Sequence, residues 1–328
     1  MNKKAIYQMG YGLLFLMVLA APLAIYPVFL MKLLCFALFA CAFNLLIGFT
    51  GLLSFGHAAF FGGAGYITGY ALSLLGLPVE ISLLLGTLSG ALIGLVMGSL
   101  AIRRQGIYFT MITLALAQMV YFIFLQAPFA GGEDGLQGVP RGKLLGMLDL
   151  SNDLTLYYVV LAIAIAAFLL ITRIVNSPFG LVLKAIKENE PRAISPGYDV
   201  HRYKLLAFVL SAAIAGLAGA MKTVVLGFET LTDVHWTMSG LVVLMTLVGG
   251  LGTLTGPIVG AVIIILLENK LGDIGNWLAA VTHIDWFNSL DESVTIVTGF
   301  IFIVCVLAFR RGIVGELGAL LKKHLPTH

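Results

Sequence analysis

Long apolar runs, separated by short stretches that are polar or rich in glycine, make up most of this chain. A helix needs about 20 residues to cross a bilayer; most of the ten runs that we count come close to that length, although the eighth is short. The pattern predicts an all-α fold, in which residues 1–328 form a single polytopic membrane helix bundle. The predicted spans are 10–29, 33–50, 55–75, 80–101, 107–127, 154–175, 205–226, 237–249, 254–269 and 292–309.

The first run follows Lys3 and Lys4, and its sequence "LAAPLA" could pass for a signal-peptidase site. The run nevertheless continues to about Phe29, which is the length of a spanning helix. We therefore expect a retained first helix, with a cleaved signal peptide as the alternative.

Composition agrees with a membrane protein, because 60% of the residues are hydrophobic and 11% are charged, whereas a soluble domain carries about 25% charged residues. The positions of the charges predict orientation, since Lys and Arg concentrate in cytoplasmic loops. With ten spans and the N-terminus inside, 14 of the 19 basic residues fall inside and 12 of the 16 acidic residues fall outside. We predict cytoplasmic N and C termini, a cytoplasmic loop at 176–204 and a cytoplasmic tail at 310–328.

Glycines recur every four residues along the fourth run and form one stripe on a helix. Small residues let helix backbones approach closely in lipid, where the hydrophobic effect contributes little to helix association. The stripe predicts a helix-packing face at Gly86, Gly90, Gly94 and Gly98.

Motifs for nucleotide or metal chemistry are absent from the sequence, which has no GxxxxGK[ST], no HExxH and no plausible nucleophile elbow. Cys35, Cys41 and Cys305 lie in apolar runs without CxxC spacing, so we predict no metal site, no catalytic residue and no cofactor in this chain. Ionisable residues fall in loops or at the ends of runs, and we expect Lys222 to lie near an interface with its amine reaching water. Any uphill transport would then take its energy from a partner.

Six polar residues in or beside the predicted spans are candidates for lining a solute pathway, because a polar solute among apolar helices needs hydrogen-bonding partners. For the threonines and the serine, the competing interpretation is a bond to their own helix; for the histidine it is packing. "GLLSF" at 51–55 and "GLGTL" at 250–254 also form a weak internal echo, in which the hydroxyl residues could cap the next helix. The pathway candidates are Asn44, Thr50, Ser54, His57, Thr246 and Thr253.

The loop at 176–204 predicts a short amphipathic helix that opens at Pro178 and ends near Glu190. It is either an interfacial helix or a docking helix for a soluble partner. Such a partner would meet charges of both signs on exposed Lys184, Lys187, Glu188 and Glu190.

Several stretches together resemble one protein family: "NLLIGFTGLLSFGHAAFFGGAGY", "GGEDGLQGVPRGKL", "SPFGLVLKAIKENEPRAISPGYDVHRYKLLAFVLSAAIAGLAGA" and "VVLMTLVGGLGTLTGPIVGAVI". They are similar to the inner-membrane permeases of bacterial branched-chain amino-acid ABC importers, the LivM type. The resemblance runs from about residue 40 to residue 270.

This resemblance implies a multi-pass permease subunit of the bacterial inner membrane that moves a small polar solute, with branched-chain amino acids expected and urea, other amides or aromatic acids known in relatives. The implied partners are a second homologous permease, two cytoplasmic ATPases that use ATP and Mg, a periplasmic solute-binding protein and membrane lipid, with no nucleic acid. By the same resemblance, the ATPases would act on Lys184, Lys187, Glu188, Asn189, Glu190 and Arg192. The alternatives are a stand-alone secondary transporter or channel for a small neutral or zwitterionic solute and, less well supported, a membrane scaffold.

Overall fold

The computed structural model describes residues 17–144, 146–195, 197–282, 299–300, 303 and 312–316. These residues form a helix bundle, with one two-stranded hairpin in which β1 (Lys143–Leu144) pairs antiparallel with β2 (Leu148–Asp149). The helices are α1 (Pro27–Thr50), α2 (His57–Ser73), α3 (Val79–Ala101), α4 (Ile107–Gln126), α5 (Asp153–Val175), α6 (Pro178–Glu188), α7 (Glu190–Ile194), α8 (Val200–Leu226), α9 (Leu231–Val234), α10 (Trp236–Gly249) and α11 (Gly256–Thr282).

Local sequence signals explain many of these boundaries. Proline occupies the first turn of α1 and α6. Its missing N–H loses no helical hydrogen bond there, because the N–H groups of a first turn have no partner within the helix. Polar side chains cap three other starts by accepting a hydrogen bond from the first turn: Asn152 at α5, Asn189 at α7 and Asp199 at α8.

The predicted boundary between the first two spans, at 29–33, is wrong. Those residues lie inside α1, and the chain breaks instead at residues 24–26, between a 3₁₀ turn at Ala21–Leu23 and Pro27. The physical reason is Pro27, which starts a new helix, whereas the apolar run itself continues through the break without a change in hydropathy.

Five described helices are long and apolar enough to cross a membrane: α1, α3, α4, α5 and α8. The shorter α2 and α10 occupy the predicted spans 55–75 and 237–249, and α11 begins within the predicted span 254–269 but continues to Thr282, beyond the apolar run. The predicted span 292–309 falls almost wholly outside the described residues, as do the start of the first span, Cys305 and most of the tail.

Helices α1 and α8 form the centre of the bundle, and each is buried along most of its length. Phe39 of α1 stacks on Phe61 of α2 with ring centroids 4.4 Å apart. Helix α4 instead leaves large apolar side chains such as Met111, Met119 and Phe122 exposed. An apolar outer surface of this kind suits a lipid environment or a membrane partner.

The glycine stripe of α3 faces α8. A Cβ atom placed on Gly90 would lie 2.9 Å from the Gly216 Cα, and one on Gly98 would lie 2.9 Å from side-chain atoms of Leu205 and Phe208. Backbone contact this close leaves no room for a methyl group, so the two helices pack at a separation that larger residues would not permit.

Loops gather at two ends of the bundle. One end, which we call the basic end, carries 51–56, 102–106, 176–199 and 250–255. Glu190 links 176–199 to Gln105 and to Lys204 of α8, and Lys187 links it to Gly48 of α1. The acidic end carries 127–152 and 227–235, joined by paired backbone hydrogen bonds between Leu136 and Glu229.

Candidate functional site at the paired glycine loops

Two glycine-containing loops at the basic end share the same local design. Loop A (51–56) follows α1 and begins with Gly51 at φ +75°, while loop B (250–255) follows α10 and contains Gly252 at φ +73°. Both are left-handed conformations that glycine adopts at little cost. The Ser54 hydroxyl accepts a hydrogen bond from the Gly56 N–H (3.1 Å), and the Thr253 hydroxyl accepts one from the Gly256 N–H (3.1 Å). Each hydroxyl thus supports the start of the helix that follows its loop.

Each loop is also held by the helix that precedes the other loop. Asn44 of α1 reaches loop B, donating from Nδ2 to the Thr253 carbonyl (2.8 Å) and accepting from the Gly252 N–H (3.0 Å). Ser239 of α10 reaches loop A, donating to the Phe55 carbonyl (2.8 Å) and accepting from the Ala58 N–H (2.8 Å). The two Gly-interrupted segments therefore form one reciprocally bonded unit.

Helix α4 adds a second attachment to loop A. The Thr110 hydroxyl donates to the Leu53 carbonyl (3.0 Å), and the Phe55 N–H donates to the Thr113 hydroxyl (3.2 Å). Movement of loop A relative to α4 would break both bonds.

Asn44 is buried, and both ends of its amide are engaged with loop B. In this conformation its side chain holds two parts of the chain together and offers little to a solute. A contact with solute at Asn44 would require loop B to move away from α1.

His57 is fully buried at the first turn of α2, where it packs edge-on against Phe43 (ring centroids 4.9 Å apart). Its Nε2 lies 2.9 Å from the Ser211 Oγ, and that hydroxyl donates its proton to the Ala42 carbonyl (2.6 Å). Because the hydroxyl proton is already used, Nε2 must carry the ring proton. His57 therefore joins α1, α2 and α8 from a buried position and does not face the exposed surface of the basic end.

Thr50 and Thr246 bond to their own helices. The Thr50 hydroxyl donates to the Leu46 carbonyl, and the Thr246 hydroxyl donates to the Val242 carbonyl (2.8 Å). Both are buried near the helix ends that lead into the two loops. The back-bonding interpretation describes these two hydroxyls in the present conformation.

Helix α6 rests on the carboxyl end of α1. The Lys187 ammonium donates to the Gly48 carbonyl (2.7 Å), one of the last four carbonyls of α1, which have no partner within the helix. Lys184 lies over the Phe49 ring, with Nζ 5.6 Å from the ring centroid. Both cations also complement the negative end of the helix dipole.

Glu190 is occupied within the chain, which corrects the expectation of an exposed charge. It accepts from Lys204 of α8 (2.7 Å) and from Gln105 in the loop after α3 (3.0 Å), and the Lys204 side chain is 5% exposed.

Glu188 and Arg192 are exposed, and the Asn189 side chain caps α7 by accepting from the Arg192 N–H (3.2 Å). Among the described residues, Glu188 and Arg192 are therefore exposed charges of α6 and α7 without a bond to another helix, whereas exposed Lys187 has its ammonium bonded to α1.

The acidic end holds a buried ion cluster that the sequence interpretation missed. We predicted that Lys222 would reach water at an interface; this is wrong, because its side chain is 4% exposed and bonds to Glu229 (Nζ to Oε2, 3.3 Å) and to Asp233. Both carboxylates follow α8 within eleven residues of Lys222. That proximity in sequence was a usable signal, because a lysine at a helix end with two acids just beyond it can fold back onto them.

Ser239 was the other omission. It is a single hydroxyl within the apolar sequence "TMSGLVV" and is fully buried. A buried hydroxyl usually has a hydrogen-bond partner, but its partners here lie more than 180 residues away, so the sequence could not identify them.

The fold and these contacts can now be set beside known proteins. The chain matches, over residues 27–308, the family described as "Branched-chain amino acid transport system / permease component". It belongs to this family. With membership and several helices of spanning length, it is a multi-pass protein of the inner membrane.

Sequence comparison identifies relatives that are permeases for different solutes. The high-affinity branched-chain amino acid transport system permease protein LivM of Escherichia coli (strain K12) is 25% identical over 257 residues, which cover 71% of this chain and 60% of LivM. The ribose import permease protein RbsC of Haemophilus influenzae is 24% identical over 205 residues, 60% of each chain. The autoinducer 2 import system permease protein LsrC of Klebsiella pneumoniae is 28% identical over 193 residues, 57% of this chain and 53% of LsrC.

The chain thus spans about 60% of the length of the two LivM relatives from enteric bacteria. No solved structure matches it. Likeness to permeases for amino acids, ribose and autoinducer 2 alike supports a permease for small solutes without selecting among them.

Proposed function

We propose that this chain is a permease subunit of an ATP-driven importer and that it moves branched-chain amino acids inward. The observation that carries the proposal is the direct link between the amphipathic helix α6 and the carboxyl end of α1, made by Lys187 and Gly48. A force applied to α6 from the cytoplasm would act on α1, whose Asn44 holds loop B.

The proposed energy source lies outside the chain. Two cytoplasmic ATPases with ATP and Mg would dock on the exposed charges of α6 and α7, foremost Glu188 and Arg192. A second homologous permease would cover part of the exposed apolar surface, and a periplasmic solute-binding protein would deliver solute at the acidic end. Family membership and the link at α6 support these proposed partners.

The proposed topology has ten spans with both termini in the cytoplasm. The asymmetry of charge between the two ends supports it. Gly312, near the start of the predicted tail, also packs against Gly250 of loop B at the basic end, and this contact supports a cytoplasmic tail.

The solute is proposed from the name of the family and of the LivM relatives. The six pathway residues stay candidates: Asn44, Ser54 and Thr253 take part in the bonds of the paired loops, and release of those bonds during transport would free their polar groups for a solute.

Affinity purification of the chain from its native membrane tests the proposed assembly. We expect a P-loop ATPase and a homologous permease to co-purify in stoichiometric amounts, and Glu188→Arg to reduce recovery of the ATPase. Exposed Glu133 at the acidic end provides the control, because Glu133→Arg should leave the ATPase bound. A homogeneous preparation of the chain alone that transports solute would overturn the proposal.

A secondary transporter is the second candidate, because ion-coupled carriers use buried ionisable groups and this chain buries Lys222, Glu229 and Asp233. Solute accumulation driven by an ion gradient, without ATP, in liposomes that contain only this chain would favour it.

A further inference from the structure

The buried cluster at the acidic end has an unequal number of charges. Lys222 comes from α8, Glu229 from the loop that follows, and Asp233 from α9, and their side chains are 4%, 0% and 6% exposed. Two carboxylates share one ammonium group. If all three were ionised, a net negative charge would be enclosed within the bundle, which is strongly unfavourable without further compensation.

The two carboxylates are not equally well supplied with donors. Asp233 Oδ2 accepts from Lys222, from the Thr230 hydroxyl (2.6 Å) and from the Thr230 N–H (3.2 Å). These three donors satisfy one oxygen of the Asp233 carboxyl group.

The carboxyl group of Glu229 accepts hydrogen bonds on only one of its two oxygens, among the described residues. Its Oε2 accepts from the Thr223 hydroxyl (2.6 Å) and, at a longer distance of 3.3 Å, from Lys222. Oε1 is buried and has no hydrogen-bond partner among the described residues. Burying a charged carboxylate with an oxygen that has no donor costs more than burying the neutral acid, so this site favours the protonated form.

The surroundings of Glu229 fix it in this position. A Cβ atom on Gly65 of α2 would lie 2.5 Å from the Glu229 carboxyl carbon, so the carboxyl group packs directly on the α2 backbone. The Tyr66 hydroxyl, on the same helix, is also buried without a partner among the described residues, and Tyr66 interacts electrostatically with Glu229, Asp233 and Tyr121. Besides these groups, the buried thiol of Cys35 in α1 interacts with Lys222.

We infer that Glu229 is a buried proton-binding site and that its carboxyl group carries a proton at neutral pH, which leaves Lys222 and Asp233 as the ionised pair. The proton comes from water and resides on Oε1, the oxygen that accepts no bond. The cluster is then neutral as a whole. This inference stands on the cluster alone and does not depend on the proposed transport function.

The proton-binding site lies where the acidic-end loop is attached. The backbone of Glu229 exchanges two hydrogen bonds with Leu136 (2.8 and 2.9 Å), and Val139 donates to the Gly227 carbonyl (2.8 Å). Loss of the proton would place a second negative charge beside Asp233 and strain the segment to which this loop is bonded.

Stability as a function of pH tests the inference in the full chain. Burial raises the pKa of Glu229 from an ordinary 4.5 to about 8. A raised pKa in the folded state gives stability that is complete below the unfolded value and is lost as the pH rises through the folded value. The melting temperature of the wild-type protein should therefore fall as the pH rises from about 4.5 to about 8 and level off above that, and this fall should be absent in Glu229→Gln, which resembles the protonated form.

Two further variants make the comparison specific. Asp233→Asn removes the ionised partner of Lys222 and should lower the melting temperature at every pH, whereas the exposed Glu133→Gln should behave as wild type. If Glu229→Gln is destabilised as strongly as Asp233→Asn at neutral pH, or keeps the wild-type pH dependence, the inference is wrong.

Infrared spectroscopy detects the proposed proton directly and does not depend on a difference in stability. A protonated carboxylic acid has a carbonyl stretch that a carboxylate lacks. We expect this band at neutral pH, and its loss as the pH is raised above about 8. Absence of the band in the wild-type protein, or its survival in Glu229→Gln, would overturn the assignment.

Discussion

At the scale of single residues, hydrogen-bond partners decide what each polar group does. Asn44, Ser239 and His57 are all buried, and each forms a hydrogen bond to a helix or loop other than its own. The Thr246 hydroxyl instead donates its hydrogen bond within its own helix. The first group therefore connects segments, whereas Thr246 does not, and substitutions should separate the two classes.

Replacement of Asn44 by Leu should destabilise the protein. The change leaves the Thr253 carbonyl and the Gly252 N–H without their partner, at a cost of roughly 1–3 kcal/mol for each buried group that stays unpaired. Thermal unfolding in detergent measures the effect. Thr246→Val removes only a bond within one helix and is the matched control, so equal melting temperatures for the two variants would show that Asn44 does not fasten loop B.

The sequence predicts many of these residues but few of their partners. Asn44 and Thr253 both stand out as polar groups beside apolar runs, yet they are 209 residues apart, and no local pattern shows that they meet. The predicted location of the Lys222 side chain was wrong for a related reason. Its position at the end of an apolar run suggests an interface, and only the turn after α8, which brings Glu229 and Asp233 back onto it, reveals the burial.

At the scale of elements, two helix contacts show how the bundle is joined: one is made by small residues and the other at the end of a helix. The predicted glycine stripe of α3 lies against α8, and α6 reaches α1 through the side chains of Lys184 and Lys187. Periodicity predicts the stripe and the amphipathic helix because both depend on residues close in sequence. It could not predict which helix each would contact, since that depends on the packing of the whole bundle.

Gly90→Ala should lower the melting temperature, because the added methyl group would collide with the Gly216 backbone of α8. Gly240 in α10 is the control, since a Cβ atom there meets no atom within 4 Å. Alanine in place of glycine within a helix is favourable by roughly 0.5–1 kcal/mol when space allows, so Gly240→Ala should be neutral or stabilising. Equal losses at both positions would contradict close α3–α8 packing.

At the scale of the whole molecule, charge separates the two ends of the bundle. Hydropathy predicts the bundle and most helix positions, but it failed at residues 24–26, where a proline divides a continuous apolar run. The charge asymmetry predicts an orientation in the membrane, which helix packing alone cannot supply because a helix bundle can pack equally well either way up.

Cysteine labelling in intact cells tests this orientation. Ser151 in the loop before α5 and Ser195 after α7 are both exposed, at the acidic and basic ends respectively. With a membrane-impermeant maleimide and the parent chain as background control, Ser151→Cys should be labelled once the outer membrane is permeable, and Ser195→Cys only after the inner membrane is disrupted. The reverse pattern would invert the proposed topology.

The coupling of ATP hydrolysis to import through α6 and α1 is the central claim, and it can be examined by replacing one cation. Lys187→Met removes the charged hydrogen bond to the Gly48 carbonyl, which is worth about 1.5–3 kcal/mol, so coupling should weaken by about tenfold or more. Lys143→Met, at an exposed lysine of the opposite end, is the matched control.

The most direct measurement is labelled leucine taken up per ATP hydrolysed, in liposomes that contain the chain with its co-purified partners and the solute-binding protein. We predict uptake that requires ATP, no uptake by the chain alone, and ATP hydrolysis with little uptake for Lys187→Met, while Lys143→Met matches wild type. Uptake by the chain alone without ATP, or an unchanged ratio in Lys187→Met, would contradict the account.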